Sequence, residues 1–153
     1  KNLTYKAAKD IGAFKIEQDK EALPIHCRPY SSINKPAVVV SLDHATASVS
    51  NYLSQVGDHD LVRMGSALKM CLVADGSADV YPRLGKTGEW DSGAGQVIVE
   101  CAGGIVIDEQ GNPLRYNTKE SVINPNFIVI GDTSVDWLQY LTHSNSRDAA
   151  KAS

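Results

Sequence analysis

Residues 36–84, PAVVVSLDHATASVSNYLSQVGDHDLVRMGSALKMCLVADGSADVYPRL, decide the fold. The run Pro36–Leu42 is short, apolar and valine-rich, the pattern of a strand buried on both faces. Apolar residues then recur at positions 45, 49, 52, 53 and 56, so a helix is expected over Thr46–Val56. Asp60–Met64 returns to a short strand. Ser66–Ala74 reads as a helix that is apolar almost all round, and such a helix must be covered on more than one face. Asp79–Leu84 is a third strand, ended near Pro82. Strands alternating with helices at this spacing place the chain in the α/β class.

Downstream, Trp90–Ala102 is expected to be helical from its apolar positions 90, 94, 97, 98, 101 and 102, with Gly103-Gly104 as a permissive C-terminal stop. Ile105–Ile107, Leu114–Tyr116 and Phe127–Ile130 read as strands, the first two joined by a turn over Glu109–Pro113. Val135–Leu141 reads as a last helix. Upstream, alternation around Lys9-Asp10 and Gly12 gives a hairpin in the first twenty residues. Two strands alone are marginal, so the hairpin should belong to a larger sheet. Residues 21–35, with Pro24, Pro29 and Ser31-Ser32, have the composition of a connection. The expected units are a hairpin and linker over 1–35, an α/β domain over 36–142 and a polar, frayed tail over 143–153.

The 153 residues carry 18 acidic and 15 basic side chains, a net charge of −3 that argues against a nucleic-acid coat or a basic membrane-surface protein. Hydrophobic and charged fractions of 42% and 22% are ordinary for a globular domain, and no apolar run approaches the ~20 residues of a membrane span. Cys27, Cys71 and Cys101 form an odd set without a CxxC pair, which suits a reducing compartment. The expected location is cytoplasmic, at most peripheral to the inner membrane.

Ligands of open α/β sheets bind outside the carboxyl ends of the strands, so the residues that follow each strand are the candidates. Those are His44, the segment Gly65 to Lys69, Arg83, and Asp91 after the Gly85–Glu89 loop. Gly65 permits close backbone approach, Ser66 is a favoured N-cap, and the turn after it offers free N–H groups to an anion. Lys69 stands in that first turn, where a cation opposes the helix dipole, inside an otherwise apolar helix. An anionic ligand answers both problems; a snorkelling lysine paired with a carboxylate is the plainer alternative. Asp91 reads as an N-cap or a metal ligand. Ser92, Gly93, Ala94 and Gly95 beside it suggest that another backbone or a ligand comes close. His44 and Arg83 could be ordinary surface groups taken singly. Asp58-His59-Asp60 reads as a solvated turn, since three adjacent residues cannot face one metal. Asp75-Gly76-Ser77 reads as a helix stop followed by a turn.

The segment from Gly65 to Gly85, followed by Trp90-Asp-Ser-Gly-Ala-Gly95 and Ala102-Gly-Gly104, strongly resembles the C-terminal half of the inositol monophosphatase superfamily. Ser41-Leu-Asp-His44 and Asn124-Pro-x-Phe127 extend the likeness over about residues 36–131, and within the superfamily it is nearest to the 3'(2'),5'-bisphosphate nucleotidases of CysQ type. The resemblance implies a mixed sheet flanked by helices, preceded by a hairpin left from an N-terminal domain. It implies Mg2+-dependent hydrolysis of adenosine 3',5'-bisphosphate to AMP and phosphate, inhibited by Li+. Asp91 would be the catalytic metal ligand, and His44, Gly65, Ser66, Lys69 and Arg83 would hold the nucleotide together with it. Lys69 and Arg83 replace the asparagine and glutamate usual in inositol monophosphatases, and two cations suit a substrate with two phosphates. The family's Asp-Pro-x-Asp-Gly-Thr carboxylates have no counterpart here, for no Asp-Pro dipeptide occurs. The chain is therefore expected to be a C-terminal half that is inactive alone, its partners the nucleotide, the rest of the protein and a possible second copy. An inositol- or sugar-phosphate phosphatase, or a non-catalytic anion-binding module, are the alternatives.

Overall fold

The computed structural model describes residues 2–18, 20–42 and 46–142; the tail expected over 143–153 and the candidate His44 lie outside the described residues. In chain order the elements are β1 (Leu3–Ala8), β2 (Gly12–Glu17), β3 (Leu23–Ile25), β4 (Ala37–Ser41), α1 (Ala47–Val56), β5 (Asp60–Met64), α2 (Leu68–Ala74), β6 (Val80–Arg83), α3 (Gly93–Cys101), β7 (Ile105–Asp108) and β8 (Phe127–Ile130). Short 3-10 turns lie at Glu89–Asp91 and Trp137–Tyr140.

Alternation along the strands builds two cores on one sheet. The five-stranded sheet runs β5-β4-β6-β8-β7, with β4 parallel to β5 and β6, and β8 antiparallel to β6 and β7. Val38, Val40, Val80, Ile128 and Ile130 face one side, where Val49 and Tyr52 of α1 and Trp137 meet them. Val39, Tyr81, Phe127 and Val129 face the other, against Met70 and Val73 of α2 and Ile98 and Val99 of α3. These strands are covered on both faces, which is why they read as continuous apolar runs. The second core also takes in Ala13 and Ile25 of the antiparallel sheet β1-β2-β3, so α2 and α3 are sandwiched between two sheets.

Local chemistry fixes the helix ends. The Thr46 hydroxyl accepts from Val49 N–H at 3.3 Å and donates to the Leu84 carbonyl at 3.0 Å, capping α1 and tying it to the end of β6. In α2, Lys69, Met70, Cys71, Val73 and Ala74 are all buried, as an all-round apolar helix requires. A Cβ on Gly95 would stand 2.5 Å from Met70 Sδ. The small residues at the start of α3 thus include one that lets two helices approach, whereas Gly93 faces open space.

Several expectations change. The connection over 21–35 contains β3, which pairs with β2 through Phe14 and Pro24; an edge strand tolerates a proline that cannot donate to a ladder. Leu114–Tyr116 is not a strand: the contact with β7 is a single bridge between Ile107 and Pro113. Tyr116 is instead held by side chains, its hydroxyl reaching Ser92 Oγ at 3.3 Å and Gln96 Oε1 at 2.5 Å. Val135–Leu141 shortens to a 3-10 turn because Asp136 caps Leu138 N–H from within the segment, so helical bonding begins only after it. The helix expected from Trp90 begins at Gly93, and Trp90 is 72% exposed rather than part of the apolar stripe.

Candidate active site

The carboxyl ends of β4 and β6, the turn after β5 and the start of antiparallel β8 converge at one edge of the sheet, where Arg83 is in register with Phe127. A cleft of about 240 Å³ opens there, and Ser41, Ser66, Lys69, Tyr81, Arg83, Thr87 and Asp91 supply its polar lining. Each comes from a different local device. Ser41 ends β4. Tyr81 and Arg83 alternate on β6, two residues apart and therefore on the same face. Thr87 and Asp91 belong to the loop and 3-10 turn before α3.

Lys69 is the second residue of α2 and only 8% exposed, so it is no snorkelling surface lysine. Its Nζ lies 5.7 Å from the centre of the Tyr81 ring, a cation over an aromatic face. Burial pushes the Tyr81 hydroxyl up to about 12; Arg83 pulls against that shift and the Asp91 carboxylate adds to it. The phenol is accordingly protonated at neutral pH and available as a donor. Arg83 donates from Nη2 to the Lys86 carbonyl at 3.0 Å, while its buried Nε has no hydrogen-bond partner among the described residues.

Two local roles differ from expectation. Ser66 is not an N-cap: its backbone is left-handed, with φ +57°, and Ala67 occupies the cap position of α2 without a side-chain bond. An N-cap residue takes extended geometry, which the tight turn from β5 does not allow here. Asp91 does not cap α3 either. It closes the 3-10 turn backwards, its Oδ2 accepting from Gly88 N–H at 2.9 Å, and Ser92 stands at the start of α3. Gly88 fits because the Trp90 indole lies over it; a Cβ would come within 2.4 Å of the ring, too close for any real side chain.

Of the six candidates, Ser66, Lys69, Arg83 and Asp91 line one cleft. Gly65 adjoins it without lining it, its nearest neighbour being the Leu42 side chain, and His44 is outside the described residues. Sequence reasoning passed over Ser41, Tyr81, Thr87 and Phe127. The spacing of Tyr81 and Arg83 on one strand could have flagged the tyrosine; Ser41 and Phe127 stood in the stretches that resemble the family without being assigned to the site, and no sequence signal marked Thr87. Elsewhere, Asp58 pairs with Lys35 at 3.0 Å and His59 Nδ1 lies 2.6 Å from the Gly57 carbonyl, both exposed, in keeping with a solvated turn.

A divalent metal needs more than this lining provides. Among the described residues, Asp91 is the one carboxylate that lines the cleft, and no group of three or more His, Cys, Asp or Glu stands together. Asp91 can supply one carboxylate oxygen to a Mg2+ ion, which fills its six positions with one or two carboxylates, waters and phosphate oxygens, so the described donors fit one position of such a site and do not build it by themselves. No described helix is long and apolar enough to cross a membrane.

The sequence pattern of the inositol monophosphatase family matches residues 1–140. The chain belongs to that family. Among family members it is 41% identical over 134 residues to the 3'(2'),5'-bisphosphate nucleotidase CysQ of Escherichia coli (strain K12), covering 84% of this chain and 50% of that protein. It is 35% identical over 136 residues to the CysQ of Haemophilus influenzae, covering 88% of this chain and again 50% of the relative. The crystal structure of CysQ from Bacteroides thetaiotaomicron superimposes with a TM-score of 0.73 at 34% identity, over 86% of this chain and 54% of the other. The α/β architecture with its mixed sheet is thus that of the inositol monophosphatase family. The chain spans about half the length of the curated relatives it matches.

Proposed function

We propose that this inositol monophosphatase family chain forms the substrate-binding half of a phosphatase that removes the 3'-phosphate of adenosine 3',5'-bisphosphate, yielding AMP and phosphate. The observation that supports the reading best is the charge of the described residues lining the cleft: two cations, Lys69 and Arg83, and one carboxylate, Asp91, with Arg83 Nε buried and without an acceptor among the described residues. A buried donor left unpaired costs about 1–3 kcal/mol, and a phosphate oxygen would recover it. Lys69 is suited to neutralise a phosphate as a point charge, the protonated Tyr81 and Ser66 hydroxyls to orient it, and Phe127 to exclude water from one wall. When bound, Mg2+ would polarise the scissile phosphate; Asp91 would supply one of its ligands, and the remainder of a protein of the relatives' length the others. On this reading residues 1–35 join the family's other domain and residues 36–142 carry the nucleotide.

Calorimetry on the 153-residue chain tests the reading. Adenosine 3',5'-bisphosphate should bind at least about tenfold more tightly than inositol 1-phosphate, and Lys69→Ala or Arg83→Ala should each weaken it by about tenfold or more, the scale of a charge-assisted hydrogen bond. Equal affinity for the two ligands would favour an inositol-phosphate enzyme. Binding of any phosphate that is indifferent to Mg2+ would favour an anion-binding module. Phosphate release by this chain alone should be absent; turnover lost on Asp91→Ala would mean that the metal site is completed within the chain or between copies.

A further inference from the structure

We propose that Asn124 is the positioning residue for the Asp91 carboxylate. The loop that carries Asp91 has little regular structure of its own. Residues 87–89 are held by a short antiparallel pairing with residues 122–124: Glu89 N–H donates to the Val122 carbonyl at 2.8 Å, Gly88 bridges Ile123, and Asn124 N–H donates to the Thr87 carbonyl at 2.9 Å. The Asn124 side chain, 7% exposed, adds a hub beneath that pairing. Its Nδ2 donates to the Gly88 carbonyl at 2.9 Å and to Ser92 Oγ at 2.8 Å, with Thr87 Oγ1 at 3.2 Å. The orientation of the amide follows from the chemistry, since a backbone carbonyl only accepts and so selects the NH2 end.

Gly88 is the hinge of this arrangement. Its N–H holds Asp91 Oδ2, and its carbonyl receives both the Asn124 amide and Asp91 N–H, the latter at 3.0 Å. Asn124 therefore fixes the peptide group that fixes one carboxylate oxygen, and through Ser92 it also fixes the residue on the other side of Asp91. Asn124 does not line the cleft, so it acts on a ligand only through Asp91 and Thr87, which do. The inference rests on the proposed role of Asp91 in holding the ligand or its metal. Outer partners of this kind matter because a carboxylate free to rotate loses the geometry that binding needs.

Two readouts on the 153-residue chain test it. Hydrogen exchange followed by NMR should show Gly88 N–H exchanging at least about tenfold faster in Asn124→Ala, while amides of β7 and β8 keep their rates, because only local opening has become easier. In calorimetry with adenosine 3',5'-bisphosphate and Mg2+, Asn124→Ala should weaken binding by about tenfold, and should add little further loss in an Asp91→Ala background. Unchanged Gly88 exchange would overturn the proposal. So would losses that multiply in the double variant, since a general structural role is independent of Asp91. If Asp91→Ala leaves binding untouched, the proposed use of Asp91 falls, and Gly88 exchange alone decides whether Asn124 holds the carboxylate. Should Asn124→Ala fail to fold, Asn124→Asp, of the same shape but with oxygen set against the Gly88 carbonyl, carries the same expectations.

Discussion

Asp79→Ala should be a strongly damaging truncation of a polar side chain remote from the cleft. The Asp79 carboxylate is 3% exposed and accepts three bonds of 2.7 Å: Arg28 Nε on Oδ1, Arg28 Nη2 on Oδ2, and Ala37 N–H on Oδ2. It thereby joins the connection after β3 to the first residue of β4 and to the start of β6. The Arg28 side chain is 42% exposed, so water replaces much of what it loses and the ion pair contributes about 1 kcal/mol. The Ala37 N–H is buried and would be left unpaired, at about 1–3 kcal/mol. The sum is about 3 kcal/mol, or a fall in Tm of about 6–12 °C for a chain of this size. Urea and thermal unfolding followed by circular dichroism would measure it, with Asp79→Asn as the comparison. Asparagine keeps an acceptor for Ala37 and gives up the charge, so it should cost about a third as much. A loss below about 1 kcal/mol for Asp79→Ala, or equal losses for the two variants, would refute this account of what the carboxylate does.

Three further outcomes are expected. Burial works against ionisation of Asp75, but hydrogen bonds from Ser77, Tyr5 and Lys15 outweigh it and hold the carboxyl below its ordinary value. Its contribution to stability is thus complete above the unfolded-state pKa of about 4 and is lost as pH falls through the lower folded value. Urea midpoints between pH 5 and pH 2 should drop less steeply in Asp75→Asn. Burial pushes the Cys27 and Cys71 thiols up to about 11, so at pH 8 each should alkylate about a hundredfold more slowly than a free thiol, read by mass spectrometry of the native chain. Ser66→Gly should relieve a left-handed backbone and raise stability by about 1 kcal/mol in urea unfolding, while weakening nucleotide binding in calorimetry.

Those strands that are buried on both faces were legible because Val38–Val40 and Phe127–Ile130 leave no other reading, and α2 because a helix so apolar has to be enclosed. β3 was hidden by Pro24, which reads as a linker residue unless the neighbouring strand is known. Trp90 misled for the opposite reason: its hydrophobicity was counted toward a helix face, although the residue sits on a turn three residues before the helix starts. The cleft was half legible. Lys69, Arg83 and Asp91 follow strand ends, where topology says to look, and Ser66 stands with them. Phe127 and Asn124 were legible only as the two ends of the Asn124-Pro-x-Phe127 stretch that resembles the family, and their roles were not, since Phe127 reaches the site by running antiparallel and Asn124 acts through a glycine 36 residues away.

The ladder between β4 and β6 is a single residue pair, Val38 with Val80, whereas β4 pairs with β5 over five residues and β6 with β8 over four. Mechanically the sheet is two rafts joined by a short seam, the Val38–Val80 pair and the two bonds between Ala37 and Asp79 beside it, and the cleft stands at the end of that seam. Ser41 belongs to one raft, Tyr81 and Arg83 to the other, and Lys69 stands on α2, which packs against both. A small shear between the rafts would alter the width of the cleft without unzipping either ladder, and a phosphate gripped from both banks would act as a rivet. Ligand binding should accordingly stiffen this chain across the seam more than within either raft.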